Sequence, residues 1–180
     1  MQDRSIRKMG VILAVILIAS FSVLGWLGRD LYRQAPPMPS AVVTMAGDVV
    51  YTKDDIQRGR QVYQSMGGQQ VGSIWGHGGY LAPDWSADWL HREALATLDI
   101  MAQDDYGVSF EQLDEGAQAR LQNRFQARIR ENTYNTETGQ IVISAERAEA
   151  IARVKPHFAD LFGNGHELEA LREDYAIANN

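Results

Sequence analysis

The run from Met9 to Leu27, MGVILAVILIASFSVLGWL, contains no charged residue and only Ser20 and Ser22 as hydroxyls. As a helix rising 1.5 Å per residue it reaches about 28 Å, enough to cross the hydrocarbon layer of a bilayer. Arg4, Arg7 and Lys8 precede it on a short N-terminal side, so the positive-inside rule keeps that end cytoplasmic and places everything after the span outside. A cleaved secretory signal is the competing reading. Signal cores are shorter, about 7 to 15 residues, and end in a small-x-small cleavage site that is hard to find before Trp26 and Arg29, so the residues favour a retained anchor. Trp26 and Tyr32 fall where amphipathic rings sit at the membrane surface. Ala35-Pro36-Pro37-Met38-Pro39 cannot continue a helix and reads as a stiff extended connector, which puts a domain boundary there.

Charge is divided at this boundary. Up to Gln34 there are five basic and two acidic residues, net +3, whereas the remainder carries 12 basic and 21 acidic residues, net −9. The overall charge of −6 excludes a general nucleic-acid surface, which needs clustered basic residues. The 180 residues include no Cys, which excludes disulfides, thiolate-ligated zinc, iron–sulfur clusters and Cys-tethered c-type haem.

Beyond the connector the pattern is mainly helical. Thr52 and Asp55 form a variant capping box for a helix through Ile56, Val62, Tyr63 and Met66 that Gly67-Gly68 ends. Asp84 caps a second helix through Trp85, Trp89, Leu90, Leu95, Leu98 and Met101. Ser109 or Asp114 starts a third, ending near Asn132, with Leu113, Leu121, Phe125 and Ile129 as its apolar stripe. The stretch Thr133 to Ile143 reads as a short hairpin around a Thr-Gly turn. Ser144 caps a fourth helix, whose pattern allows a kink or break near Lys155 because Pro156 follows. A last short helix covers Glu167 to Tyr175.

The informative segment is Gly67 to Glu93, GGQQVGSIWGHGGYLAPDWSADWLHRE. It lacks the P-loop pattern and the strand context of a dinucleotide fingerprint. Its glycines instead permit a compact docking loop whose backbone approaches another surface closely and whose carbonyls are available to a hard cation. His77 and His91 are fourteen positions apart on different elements, so hydrogen-bonded or interfacial roles outweigh a transition-metal site. Trp75, Trp85 and Trp89 read as core or interface residues rather than the lining of a quinone pocket. The Asp104-Asp105 and Asp114-Glu115 pairs read as a solvated face rather than acid–base machinery.

That segment, together with the PPMPS connector, GRQVYQSMGGQQ and SAERAEAIARVKPHFADLF, resembles the N-terminal region of quinol-dependent nitric-oxide reductases. These are single-chain members of the haem–copper oxidase superfamily, and the resemblance covers nearly the whole chain. It implies a cytoplasmic N-terminus at 1–8, a transmembrane helix at 9–28, a linker at 29–40 and a periplasmic, haem-free, cytochrome c-like domain at 41–180. Laid over the cytochrome pattern, the CxxCH haem-attachment motif falls on Gly68-Gln69-Gln70-Val71-Gly72, which supply neither thioether sulfur nor axial imidazole. The resemblance also implies a calcium site shared with a catalytic core, with Gly78 contributing its carbonyl and Tyr80 its hydroxyl, and an interface involving Trp75, His77, Trp85 and Trp89.

No catalytic residue is expected in this chain. In the family, haem b and non-haem iron belong to a long polytopic core whose histidine ligands lie in apolar spans, and none of the four His here does. The expected partners are membrane lipid and that haem-b core. The expected role is to anchor in the bacterial inner membrane and cover the core, which converts two NO to N2O in denitrification or NO detoxification. The sequence leaves open a truncated product, one half of a split gene, or a stand-alone single-pass protein docking another respiratory complex.

Overall fold

A computed structural model describes residues 2–65, 68–74, 76, 83–163, 166, 168–175 and 177, with the backbone alone at 2–5 and 69. Met1–Met38 and Pro39–Asn180 form two separate compact units.

The first unit is helix α1, Gln2–Gln34. Its segment Ile6–Gln34 is long and apolar enough to cross a membrane, and none of that apolar window is buried within the chain. The helix continues six residues past position 28, so the first part of the expected linker is helical. No proline interrupts it before Pro36, and Gln34 donates to Asp30 at 2.8 Å across its last turn. At 33 residues it measures about 50 Å, so its ends must project beyond a hydrocarbon layer of about 30 Å.

The second unit opens with strands β1 (Ala41–Thr44) and β2 (Val49–Thr52), followed by helices α2 (Lys53–Ser65), α3 (Gly68–Val71) and α4 (Trp85–Tyr106). A 3₁₀ turn at Phe110–Gln112 precedes α5 (Glu115–Arg130), β3 (Gln140–Ile143), α6 (Ala145–Phe162) and α7 (Glu169–Asp174). The fold is thus mainly helical with a small sheet. Side-chain oxygens mark the helix starts. Thr52 and Asp55 cap each other's backbone amides at 2.9 and 3.2 Å, and Asp114 and Ser144 accept from the third amides of α5 and α6. Ser109 and Asp114 both start elements, the first the 3₁₀ turn and the second α5.

One sequence expectation is met in shortened form and one is corrected. The hairpin at 133–143 is present as a tight turn with one antiparallel bridge, Tyr134 to Ile141, flanked by the Asn135 amide donating to the Gln140 carbonyl and the Val142 amide to the Thr133 carbonyl. Asn135 closes that turn by accepting from Glu137 and Thr138, and Gly139 takes the left-handed conformation at φ 69°. The strand beyond it pairs in parallel with β1, giving the order β2-β1-β3, a pairing in which Val43 and Ile143 are both buried. Helix α6 also runs unbroken through Pro156. The lost backbone bond is offset by Ile151, Val154 and Leu161, buried on both sides of the proline.

The core lies where α4 packs on α5 and α6. Leu98, Met101, Ala102 and Leu121 form its centre, with Phe110, Leu113 and Phe125 packed around them. Leu90 and Leu95, apolar residues of the expected helix, are 41% and 50% exposed, and the buried face of α4 takes in Glu93 and Thr97 instead. Ion pairs Arg124–Asp105, Arg128–Glu146 and Arg153–Asp99 tie the three helices together at their partly exposed margins. Each contributes about 1 kcal/mol or less there.

Candidate functional site

The segment singled out by its glycines and tryptophans is closed at its base by Asp84. Ser73 and Asp84 form a parallel bridge, with the Ser73 amide donating to the Pro83 carbonyl at 2.8 Å and the Trp85 amide to the Ser73 carbonyl at 2.9 Å. The Asp84 carboxylate accepts from the Ala87 amide at 2.9 Å, from the Ser73 hydroxyl at 2.9 Å and from the Gly76 amide. One side chain therefore caps α4 and clasps the start of the loop to its end. Trp75, His77, Gly78 and Tyr80, the expected interface and calcium residues of that loop, lie outside the described residues.

Those donors, the Ala87 amide first and the Gly76 amide next, hold the Asp84 carboxyl below its ordinary value. A depressed folded-state value means that the stabilisation is complete above the unfolded value, about 4, and is lost as pH falls through the folded one. Asp84→Asn is therefore expected to be less stable than the parent at neutral pH and to lose less stability on acidification below about pH 4. Denaturant midpoints measured across that range check this. Parallel pH profiles for the two proteins would remove Asp84 from the clasp.

The structure buries Trp85 inside the domain, 7% exposed. Its indole meets Phe162 and Tyr175 edge-on at 5.1 and 5.5 Å and lies directly on Gly72, where an added Cβ would fall within the indole beside Nε1. At Gly68 an added Cβ would fall within the Tyr63 ring, whose hydroxyl donates to the Gly72 carbonyl at 3.1 Å. Gly68 and Gly72 are the ends of the stretch onto which the haem-attachment pattern falls. No residue of the chain offers a cysteine thiol from which a thioether link to haem could form, and any larger side chain at either end, Cys and His included, would collide with an aromatic ring. The residues present do not fit a c-type haem.

Trp89 packs on Phe158 at 5.1 Å and donates its indole N–H to Glu93 at 2.8 Å. Glu93 is 3% exposed and is paired by Arg147 of α6. Tyr51 of β2 lies near the same carboxylate, and burial first and Glu93 second push its phenol up to about 12. Lys155 sits 4.4 Å above the Tyr51 ring. The buried carboxylate and its arginine form a structural pair beside the aromatic core that sequence reasoning missed. The legible signal was a glutamate four residues after Trp89 on the inward stripe of α4, but nothing local marks Arg147 as its partner, 54 positions away.

The remaining expected residues stand apart. His91 is exposed on α4, and no group of three or more His, Cys, Asp or Glu suited to a metal ion occurs among the described residues. Asp105 is paired by Arg124 and Asp114 caps α5, which are structural uses of both carboxylates.

The arrangement therefore consists of an aromatic core, a clasped loop and a buried ion pair. Residues 39–180 match the cytochrome c-like domain family of the nitric oxide reductase protein NorB. No curated protein matches the chain. The match begins within the Pro-rich connector and takes in the whole second unit, so the chain belongs to the NorB family of nitric oxide reductases, as a bearer of its cytochrome c-like domain.

Proposed function

We propose that this chain is the membrane-anchored, non-catalytic cover of a quinol-dependent nitric-oxide reductase. Helix α1 crosses the inner membrane with Arg7 and Lys8 on the cytoplasmic side, and the domain sits in the periplasm on the outer face of a haem-b catalytic core. The reduction of two NO to N2O takes place in that core. The observation that carries this reading is the Trp85 indole seated on Gly72, in a domain of a family named for its likeness to cytochrome c. A domain of that family whose haem-attachment stretch is closed by its own aromatic rings has a use other than electron transfer through a c-type haem. Covering a neighbouring redox protein is the use its anchor serves. Gly78 and Tyr80 supply two neutral oxygens to a calcium ion completed by ligands of the core, a division of labour that a cation preferring six to eight oxygens requires.

The test is recovery of the intact chain from its native membranes in mild detergent. The expected result is co-purification with a protein whose haem is b-type, in a complex that loosens on calcium chelation and is loosened to the same degree by Tyr80→Phe. Recovery of the chain alone at full mass would overturn the cover reading. A complex indifferent to both chelation and Tyr80→Phe would remove calcium from it.

A further inference from the structure

Away from the aromatic core, the β1–β2 turn, α4, the end of α5 and the start of α6 enclose an open groove of about 910 Å³. Its floor is apolar, formed by Ile100, Met101, Phe125, Val142 and Ile143. Met45 and Ile129 also line it and are 83% and 37% exposed. A methionine standing in water at the edge of an apolar groove is an adaptable contact residue without a contact.

The charges around the groove are sorted by sign. Its two arginines are already engaged, Arg128 by Glu146 and Arg147 by Glu93. Asp48, Asp104 and Glu131 line the same groove, and no salt bridge engages any of them among the described residues. The apolar floor is thus framed by carboxylates for which the described residues supply no salt-bridge partner.

We propose that the groove docks a short segment of a partner polypeptide bearing large apolar side chains flanked by lysine or arginine. Leucine- or phenylalanine-like side chains would cover the floor and the Met45 and Ile129 side chains, the part of an interface from which charge is depleted. The flanking cations would meet Asp48, Asp104 and Glu131 at the rim, where complementary charge sets orientation and encounter rate. An acidic segment is rejected by the same three carboxylates. The net −9 of the chain beyond Gln34 steers a cationic partner toward the domain from a distance.

The probe is a short leucine–lysine peptide, compared with its counterpart carrying glutamate at every lysine. The full chain is held in phosphatidylcholine nanodiscs, whose lipid has no net charge to recruit the peptide. Methyl NMR is expected to show the lysine peptide shifting Met45, Ile100 and Ile129 signals while the glutamate peptide shifts none. The double variant Asp48→Lys, Asp104→Lys alters two exposed side chains and should weaken the lysine peptide at least about tenfold, about 1.4 kcal/mol. Met45→Ser, which keeps every charge, should weaken it by loss of apolar contact. Absence of binding, shifts confined to other faces of the domain, or affinity unchanged in both variants would overturn the proposal.

Discussion

Trp85→Ala is expected to cost the domain about 3 to 5 kcal/mol of unfolding free energy, the range for removing a large aromatic from a packed core. The indole is 7% exposed and touches Phe162, Tyr175 and Gly72 at once. Its removal from α4 opens a void bounded by Gly72, Phe162 and Tyr175, and a site framed by such distant parts of the chain collapses poorly. Trp85→Phe should cost less, because the indole N–H has no acceptor among the described residues and its loss forfeits no hydrogen bond. Gly72→Ala presses on the same contact from the other side. Its methyl would lie within the indole, and overpacking of this kind costs about 1 to 3 kcal/mol. In the Trp85→Ala background the methyl has room, so the double variant should be more stable than the two single costs predict. Denaturant unfolding followed by circular dichroism reads all four proteins. An unchanged midpoint for Trp85→Ala, or strict additivity with Gly72→Ala, would refute the wedge.

The same wedge shows how far local sequence could be read. Helix starts were legible because a capping side chain and the amide it satisfies lie within three residues: Thr52 with Asp55, Asp84 with Ala87, Asp114 with Ala117, Ser144 with Arg147. The sheet was not. Strands β1 and β2 have four residues each, too few for an alternating pattern, and β1 finds its parallel partner at Gln140–Ile143, a pairing that no short window contains. Pro156 predicts a break from local backbone chemistry alone, and tertiary burial on either side of it overrides that preference. Leu90 and Leu95 show the converse, since apolar character at a roughly helical interval does not say which side of α4 meets the core. At the candidate site, the absence of cysteine thiols to tether a haem follows from composition. That Gly68 and Gly72 are each closed by an aromatic ring is visible only once Tyr63 and Trp85 are brought onto them.

Arg147→Met is expected to destabilise the domain by about 3 to 5 kcal/mol, and its cost should exceed that of Glu93→Gln. The asymmetry comes from where the two charges sit. The Glu93 side chain is 4% exposed, whereas that of Arg147 is 33% exposed. Without the guanidinium, a carboxylate is left between α4 and α6 with the Trp89 indole N–H as its one remaining side-chain donor among the described residues, and it cannot turn to water. Without the carboxylate charge, Arg147 has a path to solvent, and the glutamine oxygen still accepts from Trp89. Glu93→Gln should therefore cost about 1 to 3 kcal/mol, the range for a disturbed buried hydrogen-bonded group. The double variant Glu93→Gln, Arg147→Met contains no unpaired charge at the site and should be more stable than Arg147→Met alone, because a buried pair is costly to break and cheap to replace. Equal losses in the two single variants, or a double variant worse than either, would mean that the pair acts through packing of the arginine stem rather than through charge.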